Sequence, residues 1–464
     1  MSQSRALWLI FAAALLIRFA YTLGIYIAMG PEALRAEDSL LYFQLSQIFS
    51  SQGDFLRNTG IDGAFVAETE RMPLYIIWLA LHQFISGLSE PLFPALTQAA
   101  LDAFACVLIS RTAMLLDPRL LLPAGLFAAC NPTQIIVGAM ILTDSMFFFF
   151  VCLMLYAAAQ WLRQPTWRWA LLLGLALGLG LSTRAMMLPA VAALAILLPL
   201  AALWLGRLRL VGFAHILVFV AICAALQAPI LARNINHYDT AQLTSQGGAY
   251  SLLWIAPLVL EASDGTPHAE GARRMQARYM QEIGGVEPDN PFERSSLKSA
   301  TAWRAISDLG FGATAKAWLI GGAINLFSPA AILSPPVSSL PRTGFYDMAG
   351  DSKVEKLTAF LFRNDNPTYD WVLLLSFLAL LTIRAAQLWG LGGGLFGQTS
   401  RETRLILAFL MLWVLYILLV NGPIASPKYR LPIEPLSAIS AAFAFLTARD
   451  WLQRCAARRQ ERSR

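Results

Sequence analysis

Ionisable side chains are scarce in this chain. Asp, Glu, Lys and Arg make up 14% of its 464 residues, while 57% are hydrophobic. A soluble globular domain carries about a quarter charged residues, so this balance excludes an ordinary soluble protein. Histidine is rarer still: His82, His215, His237 and His268 stand at no metal-ligand spacing. Five cysteines, Cys106, Cys130, Cys152, Cys223 and Cys455, form no metal-like pair and suggest no disulfide framework. No P-loop, G-x-G-x-x-G, G-x-S-x-G or H-E-x-x-H pattern stands where it bears on function, which argues against a nucleotide-driven pump. Internal repeats are not evident.

What the chain has in quantity is long apolar runs. Ten have the length of a membrane span: about 6–29, 92–115, 119–137, 145–163, 167–183, 185–205, 209–230, 369–388, 403–421 and 431–449. The first is too long for a signal-peptide core and lacks a small-residue cleavage site, so it is expected to stay as a span. Arg111, Arg119, Arg163, Arg168, Arg207 and Arg209 gather at three short connections, expected to be cytoplasmic. This orientation holds only if the runs 72–88 and 315–335 lie along the outer surface instead of crossing. The expectation is an all-α polytopic membrane protein of ten spans with two outer-face juxtamembrane helices; twelve spans is the alternative. The net charge of +6 then belongs to cytoplasmic arginines and not to nucleic-acid binding. The basic stretch "RDWLQRCAARRQERSR" fits the same side, near anionic lipid.

This topology divides the chain into a transmembrane module over 1–230 with a first outer loop at 30–91, and a large outer loop over 231–368. C-terminal spans follow over 369–449, then a basic cytoplasmic tail, 450–464. Within the large loop, "HAEGARRMQARYMQEI" reads as an amphipathic helix and "DNPFERSSLKSATAWRAI" as another, started by its "DNP". "SPPVSSLPRTG" reads as extended.

Four constellations carry chemistry on the expected outer side. In "AEDSLLY", Asp38 and Tyr42 stand four apart and share a helix face, while Glu37 points about 100° away. Acid there serves equally as an ordinary helix cap. In "ERMPLY", Glu70 and Arg71 precede Pro73 at a helix start, where a surface ion pair is the plain alternative. In "NPTQIIVGAMILTDS", Asp144 either caps the next span or faces a site. Arg184, Arg233, Lys428 and Arg430 lie near outer ends of spans, against the usual charge bias. Together with Arg71 they suggest a shared anionic ligand such as a phosphate. Arg18 and Asp102 fall inside spans, where each needs a cavity or a partner; pairing with one another is one solution.

In order, these segments resemble the polyprenyl-phosphate-sugar-dependent glycosyltransferases of the GT-C fold, in particular the protein O-mannosyltransferase-like and aminoarabinose-transferase-like families. "DSLLY" is similar to the family's D-x-x-x-Y pattern, "ERMPLY" to its E-K-P-P-L-Y stretch, and Asp144 after "NP" to its later outer-loop acid. "STRAMMLP", "PILARNINHYDTAQLTSQGGAY" and "KYRLPIEPLSAI" resemble further family segments. Arg71 stands where the family has Lys, and Met72 where it has its first Pro. The resemblance implies an inverting transfer of a sugar from a polyprenyl-phosphate donor on the periplasmic side of the inner membrane. It implies Asp38 as general base, with Glu37, Glu70, Asp144 and Tyr42 positioning the acceptor or a cation. Arg71, Arg233, Lys428, Arg430 and Arg184 would bind the donor phosphate. The acceptor would be a glycan, lipid or protein. No cofactor is required, and a divalent metal at the carboxylates is not indicated. The rival classes are a transporter or flippase of a lipid-linked or anionic substrate, and an oligosaccharide polymerase or ligase. A transporter predicts matched broken helices in two halves, a symmetry the sequence does not display.

Overall fold

The computed structural model describes residues 2–58, 64–86, 90–207, 210–341, 355, 358–359, 362–363, 366–397 and 399–462. All ten apolar runs are mainly helical over their described residues. Among the described residues, eight helices are long and apolar enough to cross a membrane by length and composition. A bent pair makes a ninth, and the helix over the remaining run has 17 residues. The chain is a multi-pass membrane protein. Its large exposed side chains, such as Leu16, Ile27, Leu217 and Phe396, are apolar surface suited to lipid contact.

The bundle begins with α1 (Gln3–Met29). The first loop holds α2 (Ser39–Gln52), a two-stranded antiparallel hairpin of β1 (Leu56–Asn58) and β2 (Phe65–Ala67), and α3 (Pro73–Ser86). The hairpin is a small departure from the all-helical expectation. α3 is the first of the two expected surface helices. It buries Tyr75, Ile76 and Leu79 and leaves Leu81, Phe84 and Ile85 exposed.

α4 (Leu92–Leu116) leads to α5 (Leu121–Ala129) and α6 (Pro132–Gly138). The run 119–137 is therefore not one straight span but two helices bent by 49°. The cause is local: Asn131 accepts hydrogen bonds on its side chain from the N–H groups of Thr133 and Gln134, and Pro132 opens the new helix. Arg18 and Asp102 meet here, 3.9 Å apart in the bundle interior, so that of the two solutions open to buried charges each takes the other as partner. Arg18 also donates to Gln134 and to the carbonyls of Ala14 and Ala129.

α7 (Thr143–Arg163), α8 (Trp167–Thr183), α9 (Leu188–Trp204) and α10 (Leu210–Tyr238) follow. α8 packs against both α7 and α10. A Cβ at Gly174 would sit 2.9 Å from Phe219 Cα, and one at Gly178 would sit 3.3 Å from Cys223 Cα. Small residues four apart thus let the short α8 lie directly on α10.

The second large loop forms a helical lobe of α11 (Gln246–Tyr250), α12 (Ala256–Asp264), α13 (His268–Glu282) and α14 (Pro291–Phe327). α13 and α14 are the two helices read from the sequence, and Asn290 caps α14 by accepting from Phe292 and Glu293. Gly310, with φ 81° and ψ 167°, is not helical and divides α14 into two helical stretches. The run 315–335 begins in the second of these, which ends at Phe327 and is followed by a tight turn at Ala330–Leu333. Pro335–Ser338 forms a helical turn instead of an extended strand, because Ser338 and Ser339 donate their N–H groups back to Ser334 and Pro335. Residues 342–344 of that stretch lie outside the described residues.

Gly248 explains the paired glycines of "SQGGAY". Its N–H donates to Ser295 Oγ at 2.9 Å, and a Cβ there would meet Ser295 O at 2.2 Å. Gly248→Val is expected to push α11 off α14 and destabilise the lobe by about 1–3 kcal/mol. A lower melting temperature and faster proteolysis within 246–310 would register it; an unchanged melt would contradict this packing account.

α15 (Pro367–Phe396), α16 (Arg401–Asn421) and α17 (Glu434–Arg462) complete the chain. One end of the bundle gathers arginine ion pairs. Arg163 and Arg207 both pair with Glu402, and Arg119 pairs with Asp117 and Asp450. Arg209 lies outside the described residues. The opposite end carries both large loops.

Candidate functional site

The loop end is assembled from segments far apart in sequence. Ser39 Oγ accepts from Ala36 N–H and donates to Ile141 O, both at 2.7 Å. Ile141 N–H in turn donates to Leu34 O at 3.0 Å. These bonds stitch the start of α2 to the turn before α7, and so bring Asp38 and Asp144 to one place.

Asp38 stands at the N-terminal edge of α2, but its side chain makes no capping hydrogen bond. Its carboxylate is 45% exposed and lies 3.4 Å from Arg71 Nη2. Glu37 is exposed and has no polar side-chain partner among the described residues. Of the two adjacent acids, only Asp38 joins the cluster.

Asp144 is 3% exposed and receives Arg184 Nη1 at 2.7 Å. Arg184 extends from the junction of α8 and α9, with its guanidinium carbon 5.7 Å from the Phe147 ring centroid. Burial alone would lower the Arg184 pKa, but Asp144 holds it above the ordinary arginine value. Tyr42 lies between the two ion pairs. Arg71 sits over its ring at 5.9 Å, and its hydroxyl bonds Thr143. Burial raises the Tyr42 phenol, against the pull of Arg71 and Arg184. Tyr75 packs edge-on to Tyr42 at 5.2 Å and donates to Gln98.

The turn before α3 is organised by Glu68, which sequence reasoning passed over. One carboxylate oxygen accepts the N–H groups of Glu70 and Arg71, at 2.6 and 2.8 Å. An acid reaching forward to N–H groups two and three residues on is a capping pattern, the available signal in "ETERMP". Its other oxygen receives Arg57 Nε at 2.7 Å, and Arg57 Nη2 also binds Glu70 at 3.0 Å. Arg233 donates to the Glu68 carbonyl at 2.8 Å and to Asn234 Oδ1. Thr69 is tied to Ser245 by a hydroxyl contact and a backbone bond, both 2.8 Å.

Lys428 places its ammonium 5.5 Å from the Tyr429 ring centroid and has no carboxylate partner among the described residues. Tyr250 and Tyr429, also missed, lie within electrostatic reach of Arg184. Burial raises the Tyr250 phenol, against Arg184.

Arg430 is placed differently from its expected phosphate role. It is 2% exposed, and every nitrogen of its guanidinium is engaged. Nε binds Glu434 at 2.8 Å, Nη1 donates to the carbonyls of Asn325, Leu326 and Ser328, and Nη2 binds Thr133 at 2.7 Å. Asn131 and Arg384 complete the shell around Glu434. Arg430 is a strut. Its replacement by Met is expected to lower stability by about 3–5 kcal/mol, because Glu434 loses its closest cation in a buried setting. A melting temperature near wild type would overturn that assignment.

Asp38, Arg71, Tyr42, Asp144, Arg184, Lys428 and Arg233 therefore share the loop end, with Glu70 tied back to Arg57. Among the described residues, no group of three or more His, Cys, Asp or Glu side chains is placed to hold a metal. The arrangement offers a part-exposed carboxylate beside a guanidinium, and cations with spare N–H groups around it.

Residues 91–233, which include Asp144, Arg184 and Arg233, match the family model "Dolichyl-phosphate-mannose-protein mannosyltransferase". No curated protein matches the chain by sequence. The fold is similar to the Archaeoglobus fulgidus oligosaccharyltransferase in its apo form, with a TM-score of 0.54 at 16% identity over 98% of this chain and 52% of that one. The same enzyme tethered to an acceptor peptide containing the NVT sequon gives 0.53 at 13% identity, over 96% and 50%. This chain thus spans about half the length of that protein. ArnT from Cupriavidus metallidurans bound to undecaprenyl phosphate matches at a TM-score of 0.36 and 14% identity, over 94% of this chain and 76% of that one. The class is a multi-pass membrane protein with the fold of the GT-C glycosyltransferases. Within that class, the stretch similar to the protein-mannosyltransferase family model runs from the start of α4 into α10.

Proposed function

We propose that the chain transfers a sugar from a polyprenyl-phosphate donor to an acceptor at its loop end, on the periplasmic side of the inner membrane. The observation that carries this reading is the pair of ion pairs around Tyr42. Arg71 holds Asp38, and Arg184 holds Asp144. Asp38 is the most exposed of the four carboxylates of the cluster and makes a single polar contact, as a base for an incoming hydroxyl or amine requires. Attack on the anomeric carbon breaks the sugar–phosphate bond, and charge collects on the departing lipid phosphate. Arg71, Arg184 and Lys428 are the cations nearest this event, and Arg233 stands behind them. Direct displacement inverts the anomeric centre.

Arg57, Arg71, Arg184, Arg233 and Lys428 gather positive charge at the loop end, where the single negative charge of a sugar phosphodiester would be met. Lipid lies beside the site because α3 exposes an apolar face at the same end.

The test is transfer by purified protein from a polyprenyl-phosphate sugar in lipid nanodiscs, with glycolipid and glycan mass spectrometry of a deletion strain. A product deficit of one sugar is expected. No transfer from any such donor, or lipid-substrate transport without transfer, overturns the reading. A deficit of a whole glycan block would favour an oligosaccharide ligase instead.

A further inference from the structure

The hairpin of β1 and β2 has no role in the scheme above, yet it delivers one charged side chain into it. Arg57 is the central residue of β1, opposite Val66. From there it bonds Glu68 and Glu70 together. Glu68 is 1% exposed and Glu70 39% exposed. Both flank Arg71, which is the only cation reaching Asp38 among the described residues.

We propose that Arg57 is a positioning residue that keeps Glu68 and Glu70 from competing for Arg71 and from repelling the anionic donor. This rests on the phosphate-donor reading of the site. Two glutamates lie in the Glu68–Arg71 turn, and three arginines belong to it or bond to it: Arg57, Arg71 and Arg233. Arg233 spends Nη1 on the Glu68 carbonyl and Nε on Asn234. With Arg57 in place, each glutamate already has a guanidinium, and Arg71 is left to Asp38 and to substrate. Without Arg57, both glutamates lose their guanidinium, and Arg71 in the same turn is the cation drawn to them. Arg71 would be drawn back from Asp38, and the donor would approach one or two uncompensated negative charges. A guanidinium is needed because the two contacts are made by different nitrogens, Nε to Glu68 and Nη2 to Glu70; a lysine presents a single ammonium.

The experiment measures undecaprenyl phosphate binding and sugar-transfer kinetics for the full chain in nanodiscs, comparing wild type, Arg57→Gln, Arg57→Lys and the double variant Arg57→Gln/Glu70→Gln. Arg57→Gln is expected to raise donor Kd and KM about tenfold near pH 7.5, with a smaller fall in kcat. Glu70→Gln in the same chain should restore most of the affinity. Arg57→Lys should fall between and provides the comparison if Arg57→Gln folds poorly. Unchanged donor affinity in both single variants overturns the proposal. So does a loss that Glu70→Gln does not repair, which would mark Arg57 as scaffolding. If wild type itself binds no polyprenyl phosphate, the functional reading fails, and this proposal with it.

Discussion

Asp38→Asn is expected to lower sugar transfer by about 10²- to 10⁴-fold while leaving donor affinity within a few-fold of wild type. Asparagine keeps the size of the side chain and an oxygen that still accepts from Arg71, so the turn at the start of α2 should hold. What it loses is the capacity to take a proton from the acceptor. Asp38 makes no capping bond. The fold therefore does not depend on its charge, and a melting temperature near wild type is expected. The check is kcat in nanodiscs at saturating donor, together with undecaprenyl phosphate binding. Full activity in a correctly folded Asp38→Asn protein would remove this residue from the base role. Glu37→Gln is the matched control and should behave as wild type, since Glu37 faces solvent with no polar side-chain partner among the described residues.

The second large effect concerns Arg184. Removing it by Arg184→Ala leaves Asp144 buried without its partner, which costs about 3–5 kcal/mol. That loss is expected to appear as poor yield or a sharply lower melting temperature. Arg184→Lys is the informative variant. It keeps one positive charge near Asp144 but gives up the planar fork that can serve Asp144 and a phosphate oxygen at once. Folding should survive, and kcat/KM should fall about tenfold or more, chiefly through kcat if the cation acts on the departing phosphate. Wild-type kinetics for Arg184→Lys would show that Arg184 only neutralises Asp144.

The sequence was most informative where function and local pattern coincide. Asp38 was separable from Glu37 through its four-residue spacing to Tyr42, and in the fold those two do lie around one ion pair. Asn131–Pro132 was readable as a helix start. Its consequence, a bend inside an apolar run, was not, because hydropathy alone does not distinguish one span from two half-helices. Charge position misled at Arg430. Its i to i+4 relation to Glu434 was visible in "RLPIE", but the carbonyls that occupy its other nitrogens come from residues about a hundred positions earlier. Arg57 was invisible for a similar reason. It reaches Glu68 and Glu70 only because a strand of three residues folds back, and so short a strand leaves little periodicity to detect. The surface reading of 72–88 matches a short helix with one exposed apolar side. The reading of 315–335 as a helix distinct from the amphipathic one before it agrees with the break at Gly310, whose φ and ψ are not helical.

The Arg430 strut has a consequence for biogenesis. The last turns of α14 and the residues just after it present carbonyls at Asn325, Leu326 and Ser328 that receive their donor from a residue made a hundred codons later. Thr133, from the second half of the bent pair, waits for the same guanidinium. Until Pro427–Ile433, the turn ahead of α17, is in place, these earlier pieces of the protein lack the group that joins them. That turn is therefore the keystone. A nascent chain arrested before residue 427 should hold both ion pairs around Tyr42 and still lack a closed architecture. Quality-control proteases would meet it as an open intermediate, and the full chain, once Arg430 has docked, as a finished one.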